Sequence, residues 1–261
     1  MAQLALPPMP KQIQLHLSSA TLYELPSRNF ATRNFVAKSG GTPISFLKFE
    51  EPHGLGDLGR EFERTKWLGS TGFPSAKVIA FKREKRGSWL LTQAVEGSVL
   101  SSMKSNPSLS AKLIGGALKQ LHSIPAKTCP FIETWENKIF AARERLLSGL
   151  VDESDFDEAN KKTGAFSLLN ELSQANVNEE LVVTHGDSTL ANFIFRGKGC
   201  PAAIDCGRLG ISDIHCDLAL AIRSIRKLFG NEHIPVFINS YGNVNIDCDK
   251  LRLYTLLDEF F

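Results

Sequence analysis

Between residues 35 and 94 the apolar positions come in short runs broken by glycine or charge. Beyond residue 97 they recur every three or four places. The first pattern suits strands, whose side chains alternate between faces, and the second suits helices of 3.6 residues per turn. Residues 35–37 and 43–48, joined by a stretch containing Gly40 and Gly41, read as a hairpin. A helix is expected over about 59–69 with Phe62, Trp67 and Leu68 facing inward. Strands follow at 77–81 and 88–94 across the charged turn 82–87.

After Gly97, Ser110 is expected to cap a helix bearing Leu113, Ala117 and Leu121. Trp135, Ile139, Ala142, Leu146 and Leu150 mark a second helix. Leu218, Ile222, Ile225 and Phe229 mark a third, stopped by Gly230. Short strands are expected at 181–184, 193–195 and 202–205. The expected fold class is α+β: a small antiparallel-sheet lobe with one helix (1–96), a glycine hinge, and a larger, mainly helical lobe (97–261).

Composition narrows the function classes. The 261 residues are 43% hydrophobic and 22% charged, with a formal net charge of +2. That is ordinary globular make-up with no global pull toward nucleic acid or an anionic membrane. No apolar run approaches the ~20 residues of a bilayer span. The N-terminus shows no secretory pattern, and five cysteines form no C-x-x-C pair, so a reducing cytoplasm is the expected setting.

Charge is unevenly placed. Residues 1–96 hold 13 basic and 8 acidic side chains, leaving 17 and 20 for the remainder. Asp152, Glu153, Asp155, Asp157 and Glu158 crowd one stretch; Asp247, Asp249, Asp258 and Glu259 lie near the C-terminus. Such clusters are solvated surface unless a reaction centre lies nearby, in which case they attract a polycation.

Gly54, Gly56 and Gly59 match G-x-G-x-x-G, but the match follows an antiparallel hairpin rather than opening a βαβ unit, so a connecting loop is the better reading. The informative segment is 182–192 with 204–207. Asp187 and Asn192 have the D-x-x-x-x-N spacing of a kinase catalytic loop, and Asp205-Cys206-Gly207 stands where a metal-binding D-x-G belongs. Phosphoryl transfer needs a carboxylate to orient the attacking hydroxyl and take its proton. It also needs oxygen ligands to hold Mg²⁺ against the phosphates. Any one of the three residues alone would pass for a turn residue; the ordered set does not.

Lys48, closing its strand, is the candidate phosphate contact. Glu61 on the next helix is its candidate partner, with Glu63 as rival about 200° around the helix. Phe46 shares a strand face with Lys48 and either covers a purine or joins the core. His185 and His122 are expected to be scaffold residues.

Taken together, His185-Gly186-Asp187, Asn192, residues 204–210, Asp213, residues 217–221 and the ending 256–261 resemble the aminoglycoside 3'-phosphotransferases from about Pro43 onward. The resemblance implies a bilobal, protein-kinase-like fold and transfer of the γ-phosphate of ATP or GTP to a hydroxyl of kanamycin-type antibiotics. Asp187 would be the base and Asn192 and Asp205 the Mg²⁺ ligands. Lys48, braced by Glu61, would contact phosphates, with Phe46 on the adenine and Gln93 and Val95 at the hinge. Asp157, Glu158, Asn160, Arg208, Asp258, Glu259 and the terminal Phe261 would surround the drug. One stretch departs from the family: the phosphate-covering loop has Arg28 and Phe30 where the family has small residues, with Arg33 just beyond. That leaves ATP and GTP both open. A kinase of another small hydroxylated metabolite and a non-catalytic kinase-like module are the alternatives.

Overall fold

A computed structural model describes residues 8–26, 32–52, 55, 57–242 and 244–261. Arg28, Phe30, Gly54 and Gly56 lie outside the described residues. The chain divides into two compact units, Met1–Val95 and Glu96–Phe261.

The N-terminal unit is built on a five-stranded antiparallel sheet of β1 (Thr21–Leu25), β2 (Thr32–Ser39), β3 (Thr42–Glu50), β4 (Val78–Glu84) and β5 (Gly87–Gln93), in the order β1-β2-β3-β5-β4. Gly40 and Gly41 close the β2–β3 hairpin with φ of +56° and +85°, the left-handed pair a tight two-residue turn requires. Phe35 and Ala37 of β2 alternate inward with Leu47 and Phe49 of β3, making one apolar face. A short helix α1 (Lys11–His16) covers it with Ile13, followed by Leu17. Among the described residues this unit therefore holds two helices where one was expected. α1 has six residues and one buried apolar side chain, too little periodicity to read.

The second helix, α2 (Asp57–Ser70), is anchored by the strand that precedes it. The buried Glu50 carboxylate accepts the Asp57 N–H at 2.8 Å and the Leu58 N–H at 3.3 Å. A negative group there satisfies helix-end donors and complements the helix dipole. Leu68 is buried, while Phe62 stacks on Phe81 at 4.6 Å.

The C-terminal unit contains α3 (Pro107–His122), α4 (Trp135–Leu147), α5 (Glu158–Lys161), α6 (Ala165–Gln174), α7 (Ile214–Phe229), α8 (Ile234–Tyr241) and α9 (Cys248–Asp258). Its small sheets are β6 (Ser98–Val99) with β8 (Phe193–Phe195) and β9 (Ala202–Ala203), and β7 (Leu181–Thr184) with β10 (Gly210–Asp213). One core packs Trp135, Leu168, Leu172, Ala219 and Leu257 from four helices, with Phe260 just beyond α9. Asn106, not Ser110, caps α3, accepting the Leu109 N–H, and Pro107 takes the first helical position. Ser110 is buried inside the helix and bonds the Leu100 carbonyl. α4 stops at Leu147, before Leu150, and β9 stops two residues short of Asp205. None of the five cysteines is joined in a disulfide.

Candidate active site

In the N-terminal unit the strand–helix geometry selects the partner of Lys48. Its Nζ lies 2.9 Å from Glu61 Oε2. Glu61 is buried and Glu63 exposed, so the helix phase decides between them. Glu50, two residues after Lys48 on β3, holds the start of the helix that carries Glu61, so one strand sets both ends of the pair. Phe46 leaves 37% of its surface open and so does not join the core. Gln93 gives its N–H to the Lys77 carbonyl and Ala94 gives its own to Ile44, so Gln93 has no amide to offer a hinge; half-buried Val95 follows beyond. Arg33 forks onto Glu24 at 2.7 and 3.0 Å rather than standing ready for a phosphate.

The C-terminal unit arranges its loop around one buried carboxylate. Asp217 of α7 accepts the main-chain N–H groups of His185 (2.7 Å) and Gly186 (2.9 Å), and His122 Nε2–H (3.0 Å). Burial works to raise its carboxyl, but the His122 hydrogen bond and nearby imidazoles outweigh that and hold it below the usual range. Ser188 Oγ donates to the Asp217 carbonyl at 2.6 Å. His185 is scaffold: Nε2–H reaches the Ile204 carbonyl at 3.0 Å and Nδ1 accepts the Asp187 N–H at 3.2 Å. Gly186 has φ +80°, and a Cβ there would stand 2.1 Å from the Arg208 carbonyl; only glycine fits.

Asp187 is thus presented by a loop tied down on both sides. Burial pushes its carboxyl up, while the Arg208 guanidinium pulls it back. Asn192 gives its Nδ2–H to the Asp187 carbonyl at 2.9 Å, and its own carbonyl accepts the Ile204 N–H at 3.0 Å. Asp205 follows Ile204 directly, in a left-handed conformation (φ +57°) with its side chain exposed. The donor set, an amide oxygen and a carboxylate, is hard and all-oxygen; it fits Mg²⁺, which takes few protein ligands and completes its shell with water and phosphate. Among the described residues no cluster of three or more His, Cys, Asp or Glu competes as a metal site.

Arg208 lies 2.7 Å from Asp258 Oδ1 and 4.7 Å from the Phe261 ring centroid; Arg223 meets the other Asp258 oxygen. Burial works to raise Asp258, but the two guanidiniums hold it below the usual carboxylate range. Glu259 Oε1 accepts the Asp157 N–H (3.1 Å) and the Asn160 Nδ2–H (2.8 Å), binding the chain terminus to the start of α5. Glu158 stands apart, 89% exposed and paired with Lys161. Sequence reasoning missed Arg223 and Arg145, whose Nε–H donates to the Phe260 carbonyl at 2.8 Å. Each acts across 35 or more positions of chain, and no local pattern reports that.

Residues 24–254 match the phosphotransferase enzyme family, and the chain belongs to it. The chain is 33% identical to the aminoglycoside 3'-phosphotransferase of Streptomyces fradiae over 78% of this chain and 80% of that one. It is 32% identical to the Niallia circulans enzyme of the same name over 92% and 96%. Its fold is protein-kinase-like. It superposes on a type VIII aminoglycoside 3'-phosphotransferase with a TM-score of 0.86 at 28% identity, covering 96% of this chain and 98% of that one. A Streptomyces rimosus aminoglycoside phosphotransferase solved with ADP and streptomycin gives 0.81 at 25% identity, covering 95% and 96%.

Proposed function

We propose that the protein is an aminoglycoside 3'-phosphotransferase, moving the γ-phosphate of ATP or GTP to the drug's 3'-hydroxyl and inactivating it, in the cytoplasm. The observation that carries the reading is the Asp187 loop, held by Asp217 and within Coulomb reach of Arg208 and Asp258. Asp187 orients the 3'-hydroxyl and receives its proton as the oxygen attacks phosphorus, and the phosphoryl group leaves the nucleoside diphosphate. Lys48, steadied by Glu61, neutralises phosphate charge, and Phe46 offers an open aromatic face to the base. Val95 supplies the hinge backbone. Asn192 and Asp205 would hold Mg²⁺, which supplies charge neutralisation on the phosphates.

Both oxygens of Asp258 already face guanidiniums, so that side chain serves the drug site through Arg208. The ammonium groups fall to Glu259 and Asp157, with Asn160 alongside and the Phe261 ring packed on Arg208. An acid-lined site favours and steers a polycation. The test is a panel of aminoglycosides with and without a 3'-hydroxyl, assayed with Mg-ATP and Mg-GTP. Phosphorylated kanamycin and no product from 3'-deoxy drugs are expected. No product with either nucleotide overturns the reading.

A further inference from the structure

Tyr241 ends α8, 49 positions or more from every residue of the 185–192 loop, yet it is connected to that loop by a chain of side chains. Its hydroxyl lies 2.7 Å from His122 Nδ1, and the two rings meet edge-on with centroids 5.5 Å apart. His122 Nε2 lies 3.0 Å from Asp217 Oδ2, and the same carboxylate receives the His185 and Gly186 N–H groups. Asp187 is the next residue.

The direction of each bond follows from chemistry. Asp217 is ionised and accepts only, so His122 carries its proton on Nε2. With the ring uncharged, Nδ1 is left to accept and the Tyr241 O–H to donate. Burial, reinforced by the Asp217 charge, raises the phenol far from titration, so the donor keeps its proton. If the imidazole proton sat on Nδ1 instead, the Nε2 lone pair would face a carboxylate oxygen and repel it. Asp217 would then withdraw from the two amides it holds.

The backbone fixes where the phenol stands. Gly115, two turns before His122 on α3, lets α8 approach so closely that a Cβ there would lie 2.5 Å from the Phe237 carbonyl. Ser240 Oγ donates to the Lys112 carbonyl at 2.7 Å, next to Tyr241.

We infer that Tyr241 is a positioning residue for phosphoryl transfer, its hydroxyl locking the His122 tautomer through which Asp217 aims the Asp187 loop. This rests on the reading of Asp187 as the base. The probe is Tyr241→Phe, which keeps the ring and its edge contact and removes the donor.

With Mg-ATP and kanamycin, kcat falls ~3–10-fold while both KM values stay within ~2-fold. In a His122→Ala background the same change leaves kcat nearly unaltered, because the connection is already cut. The Gly186 amide exchanges faster in Tyr241→Phe than in the parent, a readout that needs no substrate. Unchanged kcat, an equal loss in both backgrounds, or a loss accounted for by KM or by the folded fraction overturns the inference. So does unchanged Gly186 exchange. A parent enzyme that phosphorylates kanamycin with neither Mg-ATP nor Mg-GTP overturns the function reading instead, and the exchange measurement still judges Tyr241.

Discussion

In the N-terminal unit Lys48 meets Glu61 with 22% of the lysine side chain open to water. In the C-terminal unit the loop before Asp187 hangs from a carboxylate with no exposure at all. Both devices place a charge near the end of a strand, but the physics differs. An ion pair that keeps its lysine partly open to water is cheaper to rearrange than a sealed one, which suits the nucleotide contact proposed for Lys48. A buried carboxylate with its acceptor sites filled is costly to disturb, which suits a group whose position decides the rate.

The widest gap between the two regions should come from Asp187→Asn. It removes the proposed proton acceptor and is expected to lower kcat ~10²–10⁴-fold while drug binding, followed by calorimetry, survives. Next, Asp217→Asn places an amide NH₂ among donors. A stability loss of about 3 kcal/mol in urea unfolding is expected, along with lower kcat; a neutral result would erase the contrast.

Third is the acid limb of stability. Asp213 is buried. Burial works to raise its carboxyl, but bonds from His215, Lys250 and backbone amides hold it at about 2. A depressed carboxyl stabilises the fold above the unfolded value near 3.8 and loses that contribution as pH falls toward 2. The shift is worth about 2 kcal/mol. Unfolding midpoints of the parent and Asp213→Asn should therefore be well separated at pH 5 and converge near pH 2. The smallest structural effect belongs to Glu61→Gln: less than ~1 kcal/mol in unfolding, with the change appearing instead as a raised KM for Mg-nucleotide.

Much of this was legible because strong periodicity and sharp stops coincided. The strands 181–184 and 193–195, and the end of the helix at Phe229 before Gly230 (φ +100°), appear as expected. Ser110 is a small polar acceptor and so reads as a cap; Asn106 followed by Pro107 was the overlooked signal. Glu61 and Glu63 stayed open because their choice depends on helix phase against a strand 13 positions away. The Asp187, Asn192 and Asp205 set was proposed from spacing, and the structure joins Asn192 to the main chain of Asp187 and Ile204. The Asp258 clamp and the Tyr241 connection were not, since each is a contact between distant helices made only by tertiary packing.

The left-handed backbone at Asp205 also governs how that residue can be interrogated. Asparagine and glycine enter that region at small cost, whereas alanine brings local strain. An alanine scan would therefore merge a bent peptide with a missing ligand, and the asparagine variant is the cleaner instrument for asking what the carboxylate itself contributes.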